Sequence, residues 1–173
     1  MKSMHRVLAT ASTILAFSGV VGAPAAQAAD TKIQQASTCF IVSGLGAAGA
    51  FREAGGRFYN SSLIGEVNIS CPILRDNLAV KPISVRVGVR DVSSTLVGPD
   101  NISCRLQTAN STGTVGSAGG TVSTTGTNSA GQVLNLPIPV IAAGNTLSVF
   151  CTIPRRGAAD PNSWIASIFI DEP

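Results

Sequence analysis

Five separate stretches of this chain alternate apolar and polar residues with a period of two, which suits a β-strand with one buried face and does not suit a helix. Val67, Ile69 and Cys71 alternate with Asn68 and Ser70, and Ile83, Val85, Val87 and Val89 alternate with Ser84, Arg86, Gly88 and Arg90. Ile102, Cys104 and Leu106 stand opposite Ser103, Arg105 and Gln107. The pattern returns in Leu147, Val149, Cys151 and Ile153, and more loosely in Leu134, Leu136 and Ile138.

The last stretch, residues 163–171, is apolar on both parities, as in a strand that is central or covered on both faces. Turn signals separate these stretches at Asp76-Asn77, Gly98-Pro99-Asp100-Asn101, Gly144-Asn145 and Asp160-Pro161-Asn162. A helical period is missing apart from a turn or two within residues 47–53. Residues 108–131 are almost entirely Ser, Thr, Gly, Ala and Asn, which predicts a long flexible hairpin connection with room for one short strand at 121–125. The expected fold is all-β: an antiparallel β-sandwich with a long Gly/Ser/Thr-rich loop.

The first 28 residues follow another rule. A basic start (Lys2, Arg6) precedes an apolar run over residues 7–22 and a small-x-small site at Ala26-Gln27-Ala28, the plan of a secretory signal peptide. Removal after Ala28 predicts one mature domain, residues 29–173, secreted or held at the cell surface or in a periplasm, with no transmembrane segment. The same cut removes His5, the only histidine, and leaves ten basic residues against nine acidic. That near-neutral balance argues against a nucleic-acid partner.

Four cysteines, Cys39, Cys71, Cys104 and Cys151, are an even number in a chain expected to be exported, so two disulfides are expected. Spacing leaves three pairings open. Because neighbouring strands in simple β topologies come from nearby sequence, Cys39–Cys71 and Cys104–Cys151 is the favoured pairing. No close cysteine pair offers a zinc site, and none of the turns has the spacing of a calcium loop.

Catalytic equipment is thin. Gly44 to Gly49 matches G-x-G-x-x-G, but Gly55-Gly56 interrupts before a crossover helix could form, so a close-packed glycine turn is expected and no cofactor. Without a mature histidine or a free thiol, the common nucleophile systems cannot be assembled. Only carboxylates (Glu66, Asp76, Asp91, Asp100, Asp160, Asp171, Glu172) remain for a hydrolase. Arg86 and Arg90 share the outward face of one strand and Arg105 that of another. On neighbouring strands the three would form a basic stripe for an anionic polymer. Arg155-Arg156 reads as a solvated turn, and Trp164 as core or strand-end packing more than a sugar platform. Asn60, Asn68, Asn101 and Asn110 each begin an N-x-Ser/Thr sequon.

The string Phe58-Tyr59-Asn60-Ser61-Ser62, with Cys71-Pro72-Ile73, Arg75-Asp76, Val85-x-Val87, Asp91, Cys104-x-Leu106, Cys151-x-Ile153-Pro154 and Ile168-x-Ile170-Asp171-Glu172, resembles a group of small exported bacterial proteins of no established function. The resemblance implies a shared disulfide-bonded fold and an envelope or extracellular setting, and transfers no catalytic residue. The function expected is a non-enzymatic binding module for a polysaccharide, an anionic one where the arginine stripe forms, or for a protein of an extracellular assembly. A structural subunit of such an assembly is the alternative, and a carboxylate-dependent hydrolase the more distant one.

Overall fold

The computed structural model of the chain describes residues 30–52, 55–92, 100–126, 128–158 and 161–173; the expected signal peptide lies outside the described residues. In chain order the first strands are β1 (Asp30–Gln35), β2 (Phe40–Ser43), β3 (Ala50–Arg52), β4 (Phe58–Asn60), β5 (Val67–Pro72) and β6 (Ser84–Asp91). They are followed by β7 (Ser103–Ala109), β8 (Val115–Ala118), β9 (Val122–Ser123), β10 (Asn128–Asn135), β11 (Thr146–Ile153) and β12 (Ser163–Glu172). One sheet, A, runs β10-β6-β12-β4-β3, with β1 on β12 end to end with β4. The other, B, runs β2-β5-β11-β7-β8, with β9 also on β7. Every pairing is antiparallel, and the two inner faces share one buried cluster, which makes the expected β-sandwich.

The period of two places the core. Val85, Val87 and Val89 face in from β6, Leu106 from β7, Leu147, Val149 and Ile153 from β11, and Val67 and Ile69 from β5. Ile83 departs from its pattern: it precedes β6 and is 58% exposed. The two-sided apolar reading of the last strand also has a local cause. β12 is central, but a bulge between Ile165 and Ser167 inserts one residue and shifts the inward parity, so Ile165 faces in before it and Ile168 and Ile170 after it. Trp164 and Phe169 consequently point outward and are only half-buried. Trp164, the second residue of β12, therefore packs at the strand's end and not in the core.

Residues 108–131 are more ordered than their composition predicts. β8 and β9 form one edge strand along β7, broken at Gly119-Gly120, and β10 starts at Asn128. Backbone pairing supplies the order that an apolar face does not: Gly119 N–H donates to Leu106 O at 2.8 Å and Thr124 N–H to Ile102 O at 2.9 Å. The candidate helix at 47–53 reduces to a 3-10 turn, Ala47–Gly49, running into β3. In the G-x-G-x-x-G stretch, Gly44 holds φ +119°, and a Cβ on Gly44 would lie 2.4 Å from Glu66 O, as one on Gly46 would from Gly65 O. The motif lets two loop backbones touch.

Both disulfides belong to sheet B. Cys39, at the entry to β2, bonds Cys71 of β5, and Cys104 of β7 bonds Cys151 directly opposite on β11. The buried Asp91, at the end of β6, joins the two sheets. Its carboxylate accepts from Ile102 N–H (3.0 Å), from Ser163 Oγ (3.0 Å) and from Thr124 Oγ1.

Two stability outcomes follow from these ties. The double variant C104A/C151A, which opens a loop with a sequence separation of 47 residues, is expected to lose about 4 kcal/mol in urea unfolding. Asp91→Ala strands several buried donors and is expected to lose about 2–4 kcal/mol; a loss under about 1 kcal/mol would show that the network is dispensable.

Candidate functional site

Residues that pair across a sheet share a face, so the pairing register lays out the outward surface of sheet B in rows. One row runs Phe40, Ser70, Phe150, Arg105 from β2 to β7. The next is Pro72, Ser148, Gln107, Ala118. On the other side lies a polar row of Ser43, Asn68, Thr152 and Ser103, where Thr152 Oγ1 donates to Asn68 Oδ1 at 2.7 Å and Asn68 Nδ2 to Ser43 Oγ at 3.2 Å. An aromatic row is thus flanked by hydroxyl and amide rows.

A groove of about 610 Å³ runs over these strands, floored by Ser70, Ser148, Phe150 and Gln107 and walled by Phe40 and Val42 on one side and Val115 on the other. None of its described lining residues carries a carboxylate. Its one lining cation, Arg75, is already committed: its guanidinium donates to the carbonyls of Val80 (3.1 Å), Asn145 (3.1 Å) and Leu78 (3.4 Å), which fixes the loop after β5 as a wall. Phe40 is 49% exposed, Val42 52% and Leu74 69%, so the groove offers apolar surface to solvent. Cys71, Cys104 and Cys151 lie on the inward parity of the strands whose outward residues form the floor. Both disulfides therefore brace the groove from beneath.

The sequence signal for this surface lies in aromatics on the wet parity. Phe150 falls between Val149 and Cys151 on the side of Ser148 and Thr152, and neither it nor Phe40 stands out by composition. Arg105 stacks on Phe150, its guanidinium carbon 5.1 Å from the ring centroid, at one end of the aromatic row.

Arg86 and Arg90 do not join Arg105. They lie on β6, in sheet A, whereas Arg105 lies on β7, in sheet B, so the neighbouring strands that a single stripe requires are absent and the arginines divide between the two outer faces. On sheet A, Arg86 sits 5.6 Å from the Phe169 centroid, and Arg90 and Arg57 sit 4.4 and 4.8 Å from that of Trp164.

Four of the described carboxylates, Asp76, Asp91, Asp171 and Glu172, serve the fold. Asp171 accepts from Ser84 Oγ, from Thr31 Oγ1 at 2.7 Å and from Arg86 Nη2 at 3.1 Å. The Ser84 and Thr31 hydroxyls, with Arg86 behind them, hold its carboxyl below the usual carboxylate value against a smaller opposing effect of burial. Lys32 bridges Asp76 (2.7 Å) and Glu172, and its hydrogen bonds to Asp76 and then Glu172 raise its ammonium above the ordinary lysine value. Asp91 is buried in the network already described. Among the described residues no three His, Cys, Asp or Glu side chains gather as a metal site, and no helix is long and apolar enough to cross a membrane. Of the sequon residues, Asn60 is fully buried and donates to the carbonyls of Gly65 and Pro154, both at 3.0 Å.

No family model matches the chain, and neither does any curated protein. Solved structures that align with it include the low-affinity xylan-binding module CBM86 from the gut symbiont Roseburia intestinalis, at 17% identity over 83% of this chain and 96% of that one, with a TM-score of 0.46. The family 11 carbohydrate-binding module of the Clostridium thermocellum cellulase Lic26A-Cel5E aligns at 9% identity over 84% and 88%, TM-score 0.43. A family two carbohydrate esterase from Cellvibrio japonicus aligns at 10% over 84% of this chain and 35% of that one, TM-score 0.44. These likenesses are distant, and the two-sheet architecture stands on the chain's own strand pairing. The two disulfides and the sandwich that the resemblance to small exported proteins implies are present, while no family match attaches the chain to that group.

The Asp171 contacts carry a pH dependence. A carboxyl whose folded value lies below its unfolded one contributes stability that is full above about pH 4 and lost as pH falls through the folded value. In urea unfolding, the deficit of Asp171→Asn relative to wild type is expected to stay constant from pH 7 to about 4.5 and to shrink below about pH 4. A deficit that grows on acidification would contradict this assignment.

Proposed function

We propose that this chain is an exported, non-enzymatic binding module whose groove on the outer face of sheet B takes a segment of neutral polysaccharide. The groove itself carries the reading: its volume of about 610 Å³ lies in the range of ligand sites, and its rows alternate aromatic and hydrogen-bonding side chains. A sugar ring is amphipathic in the same way, with C–H faces that pack on Phe40 and Phe150 and hydroxyls within reach of Ser70, Ser148 and Gln107. With no carboxylate in the lining and Arg75 engaged by carbonyls, the groove favours an uncharged ligand. The disulfides beneath the floor hold these rows before the ligand arrives, which reduces the ordering cost of binding.

Support for export comes from the signal-like first 28 residues and the oxidised cysteines, which fit a secreted or periplasmic setting. Support for binding without turnover comes from the engagement of Asp91, Asp171, Asp76 and Glu172 in the fold.

Isothermal titration of the oxidised protein against a panel of neutral polysaccharides tests the reading. Binding is expected to change little between about 0.05 and 0.5 M NaCl, because no charge pairs form in the groove. Phe40→Ala and Phe150→Ala are each expected to weaken it about tenfold with little change in melting temperature. Failure of the whole panel to bind, or equal binding by both variants, would overturn the proposal.

A further inference from the structure

The outer face of sheet A offers a surface of different chemistry. Pairing sets Asn135, Arg86, Phe169 and Ile33 in one row and Arg90, Trp164 and Tyr59 in another. Between them lies a row of Val133, Gly88, Ser167 and Gln35. Arg86 and Arg90 are four residues apart, so the flanking rows are separated by about 13 Å along the strand. The centre of the intervening row is low, because Gly88 has no side chain and the β12 bulge sets Ser167 opposite it. The result is a saddle whose two walls each consist of an aromatic ring capped by a guanidinium.

We propose that this saddle is a second binding site, for an anionic polysaccharide whose carboxylate or sulfate groups pair with Arg86 and Arg90 while one sugar unit lies over Gly88 and Ser167. Charge favours an anion: among the described residues the two walls present Arg86 and Arg90, and the carboxylate of Asp171 engages one side of Arg86 alone. Geometry favours it too. Stacking fixes the guanidinium planes before binding, and a fixed guanidinium fork matches the two oxygens of a carboxylate or sulfate. Phe169 and Trp164 add apolar faces against which a sugar ring can lie. The bulge and Gly88 work together here: with an unbroken period on β12, Ala166 and not Ser167 would lie beside Gly88, and the same bulge sets Phe169 outward beneath Arg86.

The position of Trp164, the single tryptophan of the chain, makes the test direct: a ligand in the saddle touches it, and a ligand in the groove on the opposite sheet does not. The oxidised protein is titrated with polygalacturonate, dextran sulfate and uncharged dextran while Trp164 fluorescence and calorimetric heat are followed. A change in emission with at least one anionic polymer is expected, reversed by about 0.5 M NaCl and absent with dextran. Response to polygalacturonate alone would assign a carboxylate ligand, and response to dextran sulfate alone a sulfate one. Arg86→Gln and Arg90→Gln are each expected to weaken anionic binding at least tenfold. Gly88→Val raises the saddle floor without changing charge, at a position where a Cβ already lies 3.4 Å from the edge of the Phe169 ring, and is expected to do the same; its melting curve, measured alongside, separates lost binding from lost folding. Phe150→Ala, which damages the groove, should leave this binding intact. Anionic binding that leaves Trp164 emission unchanged, no anionic binding at all, or equal binding by the Gly88→Val and arginine variants would overturn the proposal.

Discussion

The cross-strand bond between Cys104 and Cys151 is the constraint on which the groove of sheet B depends. It joins β7 and β11 at directly opposed positions, Cys39–Cys71 ties the entry of β2 to β5, and the backbone pairing of β5 with β11 joins the two stapled pairs under the groove. Sheet A has no such bond and is organised by β12, which β6 flanks on one side and β1 and β4 on the other. Polar ties do there what covalent ties do in sheet B: Lys32 and Asp171 fasten β1, β6 and β12 at one end, and Asp91 fastens β6 to β7 and β12 at the other.

One core thus supports two unlike exteriors. The inward parity is nearly uniform in Val, Ile, Leu and Cys, and the outward parity carries the chemistry. On sheet B that chemistry is aromatic and neutral, over a rigid floor. On sheet A it is aromatic and cationic, with arginines positioned by the rings they cover. Asp76, Asp91, Asp171 and Glu172 bind cations, hydroxyls and backbone N–H groups of the fold.

Strand positions and inward residues were legible because alternation is local. The favoured disulfide pairing rested on the same locality and agrees with the structure. What failed was whatever depended on partners or on register. Arg86 and Arg90 were expected beside Arg105, yet sheet membership is decided by how the hairpins fold over the core, and no residue in β6 or β7 encodes it. The bulge after Ile165 was invisible because an inserted residue in an apolar strand only makes both parities look buried; of the two readings of Trp164, core or strand-end packing, the structure has the second. Residues 108–131 read as a loop because their order comes from backbone hydrogen bonds to β7, which composition does not record. Phe40 and Phe150 were discernible only as aromatics out of place on a wet face.

The central claim is that the outer face of sheet B is a preformed site for neutral polysaccharide, and amide chemical-shift mapping of the oxidised protein during titration with a neutral oligosaccharide tests it most directly. The account predicts perturbations at Ser70, Gln107, Ser148 and Phe150, with β6 and β12 unmoved and the inward residues of both sheets unchanged. Perturbations confined to the β6 and β12 face, or none at saturating sugar, would contradict it.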